Sequence, residues 1–120
     1  MASKNYFMNG TTELLVLSLL KAQDSYVYEI VKAIEDLSDG LLEISQNTVY
    51  TATYKLESDG MISEYPKLVG KKRTRIYYHI EPKGLEYLEE LKEVYLKTTE
   101  GINKITYELT NTKTDKPLDC

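Results

Sequence analysis

Residues 45–82 read SQNTVYTATYKLESDGMISEYPKLVGKKRTRIYYHIEP, and the change of period inside this stretch decides the architecture. After Ser45, the residues Val49, Ala52, Thr53 and Leu56 fall at helical spacing, and a serine oxygen at that place accepts from the free N–H groups of a helix start. Gly60 stands where a helix end favours a left-handed residue. Beyond it, residues 61–65 and 74–80 read as strands. The second alternates Ile76, Tyr78 and Ile80 against Arg75, Tyr77 and His79, and residues 66–73 form the loop between them. The other side of the helix carries Gln46, Asn47, Tyr50, Thr51, Tyr54, Lys55 and Ser58, with no aliphatic residue.

Upstream, Thr11, Thr12 and Glu13 precede the run LLVLSLL, which suits a capped, buried helix reaching to about Ala22. Gln23, Asp24 and Ser25 break it. Val27, Ile30, Val31, Ile34 and Leu37 then recur on one helical face, and Gly40 closes this second helix. Three helices and a hairpin in this order make an α+β winged helix-turn-helix, with the hairpin as the wing. Downstream, Glu81 and Pro82 open a last helix. Along it Leu88, Leu91, Tyr95, Thr98, Ile102, Ile105 and Leu109 are separated alternately by three and four residues, an a/d seam that asks for a second helix. The expected organisation is a winged domain over residues 1–80, a dimerisation helix over 81–110 and an aperiodic, disordered tail over 111–120.

Composition narrows the function. Of 120 residues, 42% are hydrophobic and 28% charged, which suits a folded domain. The longest apolar run falls well short of a bilayer span, and the first dozen residues lack the basic and apolar regions of a secretory signal, so a cytoplasmic protein is expected. One histidine, His79, and one cysteine, Cys120, leave no set of metal ligands, no disulfide and none of the common catalytic constellations. An enzyme, a metal site and a cofactor are therefore not expected. His79 reads as structural or surface.

Charge is distributed unevenly. Residues 1–64 hold four basic and ten acidic side chains, residues 65–80 hold five basic and none acidic, and residues 81–120 hold six basic and nine acidic. All excess positive charge lies in the hairpin, on Lys67, Lys71, Lys72, Arg73 and Arg75, and local potential governs contact with phosphate more than net charge does. A third helix with a polar face beside a basic hairpin points to double-stranded DNA. On that helix Asn47 suits adenine, and Thr48 and Thr51 suit phosphate or a thymine methyl. Tyr50, Tyr54 and Lys55 suit phosphates, as do Lys71, Lys72, Arg73 and Arg75 on the wing. The alternative is a winged-helix module that binds protein and no nucleic acid.

Several short stretches together carry a resemblance. Tyr26-Val27-Tyr28-Glu29-Ile30, Ser45 with Thr48-Val49-Tyr50, Lys55-Leu56-Glu57, Gly60-Met61-Ile62, Lys72-Arg73, Tyr77-Tyr78 and Gly84 resemble the PadR family of winged-helix regulators, over about residues 14–85. The last helix looks like the single dimerisation helix of the family's short branch. The resemblance implies a homodimeric repressor on a palindromic operator, with ligand-sensing members holding flat aromatic molecules at the dimer interface. In this chain Tyr95 and Thr98 stand in the seam where aliphatic residues would seal it. Leu14, Leu15, Leu91, Tyr95 and Thr98 are therefore the residues expected to meet a planar aromatic effector.

Overall fold

A computed structural model of the chain describes residues 11–109. Helices α1 (Thr12–Ala22), α2 (Val27–Leu37) and α3 (Gln46–Ser58) are followed by strands β1 (Ile62–Val69) and β2 (Arg73–Ile80) and by helix α4 (Pro82–Asn103), which runs into a π-helical turn at Lys104–Glu108. This is the winged helix-turn-helix, with α+β content and a long last helix. The expected tail at 111–120, with Cys120, lies outside the described residues. No helix among those described is long and apolar enough to cross a membrane. The first compact unit extends to Glu89 and a second begins at Glu90.

The core of the first unit is built from one stripe of each element: Val16, Leu17 and Leu20 from α1, Ile30 and Ile34 from α2, Val49 and Leu56 from α3, and Ile62 and Ile80 from the sheet. Fully burying an aliphatic side chain of this size contributes about 1.5–3 kcal/mol. Leu88 of α4 belongs to the same core and is 1% exposed. It was expected in the dimer seam, but its surface is already used within its own unit. Gly84, one turn earlier, lets α4 approach this core, since a Cβ there would collide with the Met61 carbonyl oxygen.

Helix ends follow the sequence with two differences. Ser45 caps α3 as expected, its Oγ accepting from the Thr48 N–H at 3.2 Å. At the other end Gly60 takes φ +75°, and the Met61 N–H donates to the Leu56 carbonyl at 2.9 Å. Thr11 precedes α1 without a side-chain capping bond. After α2 Gly40 is left-handed as expected, at φ 79°, but it is preceded by a second left-handed residue, Asp39 at φ 55°, and the Gly40 N–H donates to the Glu35 carbonyl at 2.8 Å. Aspartate is among the few residues besides glycine that visit this region readily.

The hairpin is longer than its sequence suggested. Residues 66–69 continue β1, leaving only residues 70–72 as the turn, and Pro66 pairs with Ile76. The reason lies on the far edge of β2. Tyr78 donates to the Ser25 carbonyl at 2.9 Å and accepts from the Ser25 N–H at 3.3 Å, so both its backbone groups face away from β1. Glu64–Tyr78 is then a non-hydrogen-bonded pair, and so is Pro66–Ile76 two residues on, where the missing N–H of proline costs no ladder bond.

Candidate nucleic-acid interface

Helix α3 carries its polar face outward. Gln46, Asn47, Tyr50, Thr51, Tyr54 and Lys55 are exposed, and Thr48 is half-buried. Two hydroxyls are already engaged locally: Thr51 donates to the Asn47 carbonyl at 3.0 Å, and Thr48 shares a 3.0 Å hydrogen bond with Ser45. Lys55 is directed elsewhere. Its Nζ lies 3.1 Å from the Glu13 carboxylate, which also accepts from the Tyr87 hydroxyl at 2.9 Å. Glu13 raises the pKa of Lys55, first through this hydrogen bond and then through its charge. Lys55 therefore braces α3 against the start of α1, a role that its place among polar residues in the sequence does not announce.

On the wing, Lys71, Lys72 and Arg73 are exposed at the turn, while Arg75 is half-buried lower down. The Arg75 guanidinium sits 5.2 Å from the centre of the Tyr26 ring, and Lys67 sits 4.9 Å from that of Tyr77. Arg75 and Lys67 are direct partners across the hairpin, a like-charge pairing that disfavours the sheet unless each charge has another neighbour. The tyrosine rings supply those neighbours. Arg75 Nε is also a buried donor without a hydrogen-bond partner among the described residues.

A groove of about 580 Å³ separates the start of α2 and α3 from the wing, with Tyr28, Gln46, Tyr50, Arg73, Arg75 and Ile76 among its walls. Tyr28 and Gln46 were not singled out as contacts from the sequence, and only their placement beside the wing marks them. Next to this groove, Glu57 of α3 approaches Glu64 of β1. The Glu57 carboxyl is pushed up by burial first and then by the charge and hydrogen bond of Glu64. Glu64 makes one wall of the groove acidic, so an anion in the groove is favoured on the arginine side.

His79 is paired. Its Nδ1 lies 2.9 Å from Asp24 Oδ1, and Asp24 Oδ2 accepts from the Tyr65 hydroxyl at 2.7 Å. The residues read as a simple break between α1 and α2 therefore dock on the wing, through Asp24 and the Ser25 bridge.

The remaining expected residues fall as follows. Leu14 and Leu15 are half-buried on α1. In the second unit, Leu91 is half-buried and Tyr95, Thr98, Ile102, Ile105 and Leu109 are exposed, joined by Val94 and Leu96. The π-helical turn widens the helix at residues 104–108, so the even a/d spacing does not continue unaltered to Ile105 and Leu109.

Comparison with known proteins agrees with this geometry. The family model described as the transcriptional regulator PadR-like family matches residues 16–90. Transcriptional regulator YqjI of Escherichia coli is 30% identical over 90 residues, covering 75% of this chain but only 42% of that protein, so the chain spans less than half the length of this curated relative. Among solved structures, a transcriptional regulator from Clostridium thermocellum is similar with a TM-score of 0.78 and 36% identity, covering 88% of this chain and 99% of that one. A PadR family transcriptional regulator from Eggerthella lenta is similar with a TM-score of 0.73 and 30% identity, covering 85% and 87% of the two chains. The chain belongs to the PadR-like family of transcriptional regulators.

Proposed function

We propose that this protein is a homodimeric repressor that occupies a palindromic operator in double-stranded DNA. The observation that carries the reading is the placement, in one compact unit, of the exposed polar face of α3 beside the only segment with excess positive charge. A helix of this kind fits the major groove, and phosphate contacts from a basic hairpin fix its register without reading bases. In this reading Asn47, Thr48, Tyr50, Thr51 and Tyr54 face the groove and its flanking backbone. Lys71, Lys72, Arg73 and Arg75 meet phosphates, and Lys55 is left out because Glu13 holds it.

The second copy is brought in by Leu91, half-buried on the single chain, and by the exposed Tyr95, Thr98 and Ile102, a stripe that would be covered in a dimer. A planar aromatic effector stacking between two Tyr95 rings would then release the operator. Titration with flat aromatic compounds, followed by operator affinity, should show a response in the parent that is lost in Tyr95→Leu. The direct test of the main reading is footprinting of the promoters near the gene. The expected result is a dyad-symmetric footprint with half-site centres about 34–36 Å apart. Failure to shift any duplex at low salt would leave the protein-interaction module as the better reading.

A further inference from the structure

The root of the wing differs from its tip. At the tip Lys71 and Lys72 are exposed, whereas at the root Lys67 and Arg75 lie over tyrosine rings and Asp24 holds Tyr65 and His79. Tyr77 stacks on Tyr65 with ring centres 5.8 Å apart and meets Tyr26 edge-on at 5.3 Å. Asp24 closes this cluster from outside the hairpin. Its two carboxylate oxygens hold β1 through Tyr65 and β2 through His79, bonds that span 41 and 55 residues of sequence. Besides these, the backbone pair between Ser25 and Tyr78 joins the same segment to the wing.

We propose that Asp24, Tyr65 and His79 form a pH-responsive clamp that sets the aim of the wing, with Asp24 as the positioning residue for the cations at its tip. The proposal rests on the wing being a DNA contact, as read above. Four groups face His79 or its partner: Asp24 from the α1–α2 segment, Tyr65 and Lys67 from β1, and Glu81 at the end of β2. Asp24 raises the His79 pKa above the usual 6.5, by hydrogen bond first and charge second. Glu81 adds to this, and burial opposes it. The Asp24 carboxyl is held below its ordinary value, first by the Tyr65 hydrogen bond and then by His79 and Lys67, against the effect of burial. Tyr65, pushed up to about 12 mainly by Asp24, remains a donor throughout.

The sign follows from these directions. A histidine whose folded pKa is raised contributes its full stabilisation below its ordinary value and loses it as pH rises through the raised one. Asp24 loses its contribution only at acid pH, as pH falls from its ordinary pKa through its lowered one. The clamp is therefore tightest in the mildly acid range, and the wing loosens as pH passes the His79 midpoint. Above that midpoint a neutral imidazole still hydrogen-bonds Asp24, so the wing slackens without detaching.

The chain has one histidine, which makes the experiment clean. The His79 ring is titrated by NMR in the parent and in Asp24→Asn, and duplex affinity is measured from about pH 6 to about pH 8 in the parent and in His79→Gln. The midpoint should fall in Asp24→Asn, and amides at residues 70–73 should titrate with the same midpoint as the ring in the parent. Parent affinity should drop about two- to fivefold across the range, the scale of one partly exposed ion pair, with an unchanged salt slope. His79→Gln should flatten that profile, and because the side chain is half-exposed the variant should keep its fold, which circular dichroism checks. Identical pH profiles in parent and His79→Gln, or a midpoint unmoved by Asp24→Asn, overturn the clamp. No duplex binding at any pH would instead overturn the DNA reading, and the ring and amide titrations would then decide the clamp alone.

Discussion

In the winged unit the apolar stripe of α1 ends on neighbouring side chains, and Val16 and Leu17 are fully buried. Along the second half of α4 a stripe of the same kind is open in the single chain, with Ile102 52% exposed, and Ile105 in the π-helical turn beyond it is 66% exposed. Both stripes come from helical spacing of apolar residues, so periodicity alone does not separate them. What separates them is the supply of partners. The winged unit brings three helices, a hairpin and the first turns of α4 to one core, whereas the described residues 90–109 bring a single helix. An apolar face that no element covers among the described residues is the surface that the proposed dimer would bury.

The strongest way to break this comparison is at its border. Leu88→Ala should destabilise the winged unit by about 2–5 kcal/mol, the cost of removing a large aliphatic side chain from a filled core. Urea denaturation would measure it, and a destabilisation well below this range would place Leu88 in the seam after all. Ile102→Asp should do the opposite. It should dissociate the proposed dimer in sedimentation while leaving the unfolding of the winged unit nearly unchanged, and an intact dimer in this variant would remove α4 as the interface. Likewise, a chain ended after residue 90 should fold as a monomer, and one ended after Lys83, which lacks Leu88, should not fold stably.

The same border shows what the sequence carries and what it does not. Helix positions were legible because capping residues and apolar spacing are local, as at Ser45 and Gly60. Pro66 misled because proline normally interrupts a strand. Only the Ser25–Tyr78 pair, on the other edge of β2, fixes the parity that makes proline harmless there. Leu88 shares its helical face with Leu91 and Tyr95, and spacing gives a face without naming the neighbour. The exposed polar face of α3 was readable by subtraction of its buried stripe. The partners of Lys55 and His79 lie 42 and 55 residues away, on Glu13 and Asp24, and no local pattern announces such pairings.

Within the proposed interface a second comparison, helix against wing, is sharpened by two smaller effects. Asn47→Ala should change the preference between operators by about 1–3 kcal/mol at one base pair, because it removes a side chain able to pair with an adenine edge. Competition among single-base operator variants measures this, and an unaltered preference order would take Asn47 out of base readout.

The smallest expected effect tests the division between wing tip and wing root. Removing one cation that neutralises a phosphate should lower the slope of log affinity against log salt by about 0.9, because one fewer condensed counterion is released on binding. Arg73→Ala, at the turn, should show that full change with its sequence preference intact. Lys67→Ala should show much less, because Lys67 lies over Tyr77 and acts on Asp24. Its removal should appear mainly as a weaker wing clamp, seen as lower affinity at constant slope. Salt titrations of both variants on one operator and on a scrambled duplex separate these outcomes. Equal reductions in slope in the two variants would mean that Lys67 leaves the tyrosine ring for phosphate when DNA binds. A change of preference in Arg73→Ala would assign base reading to the wing.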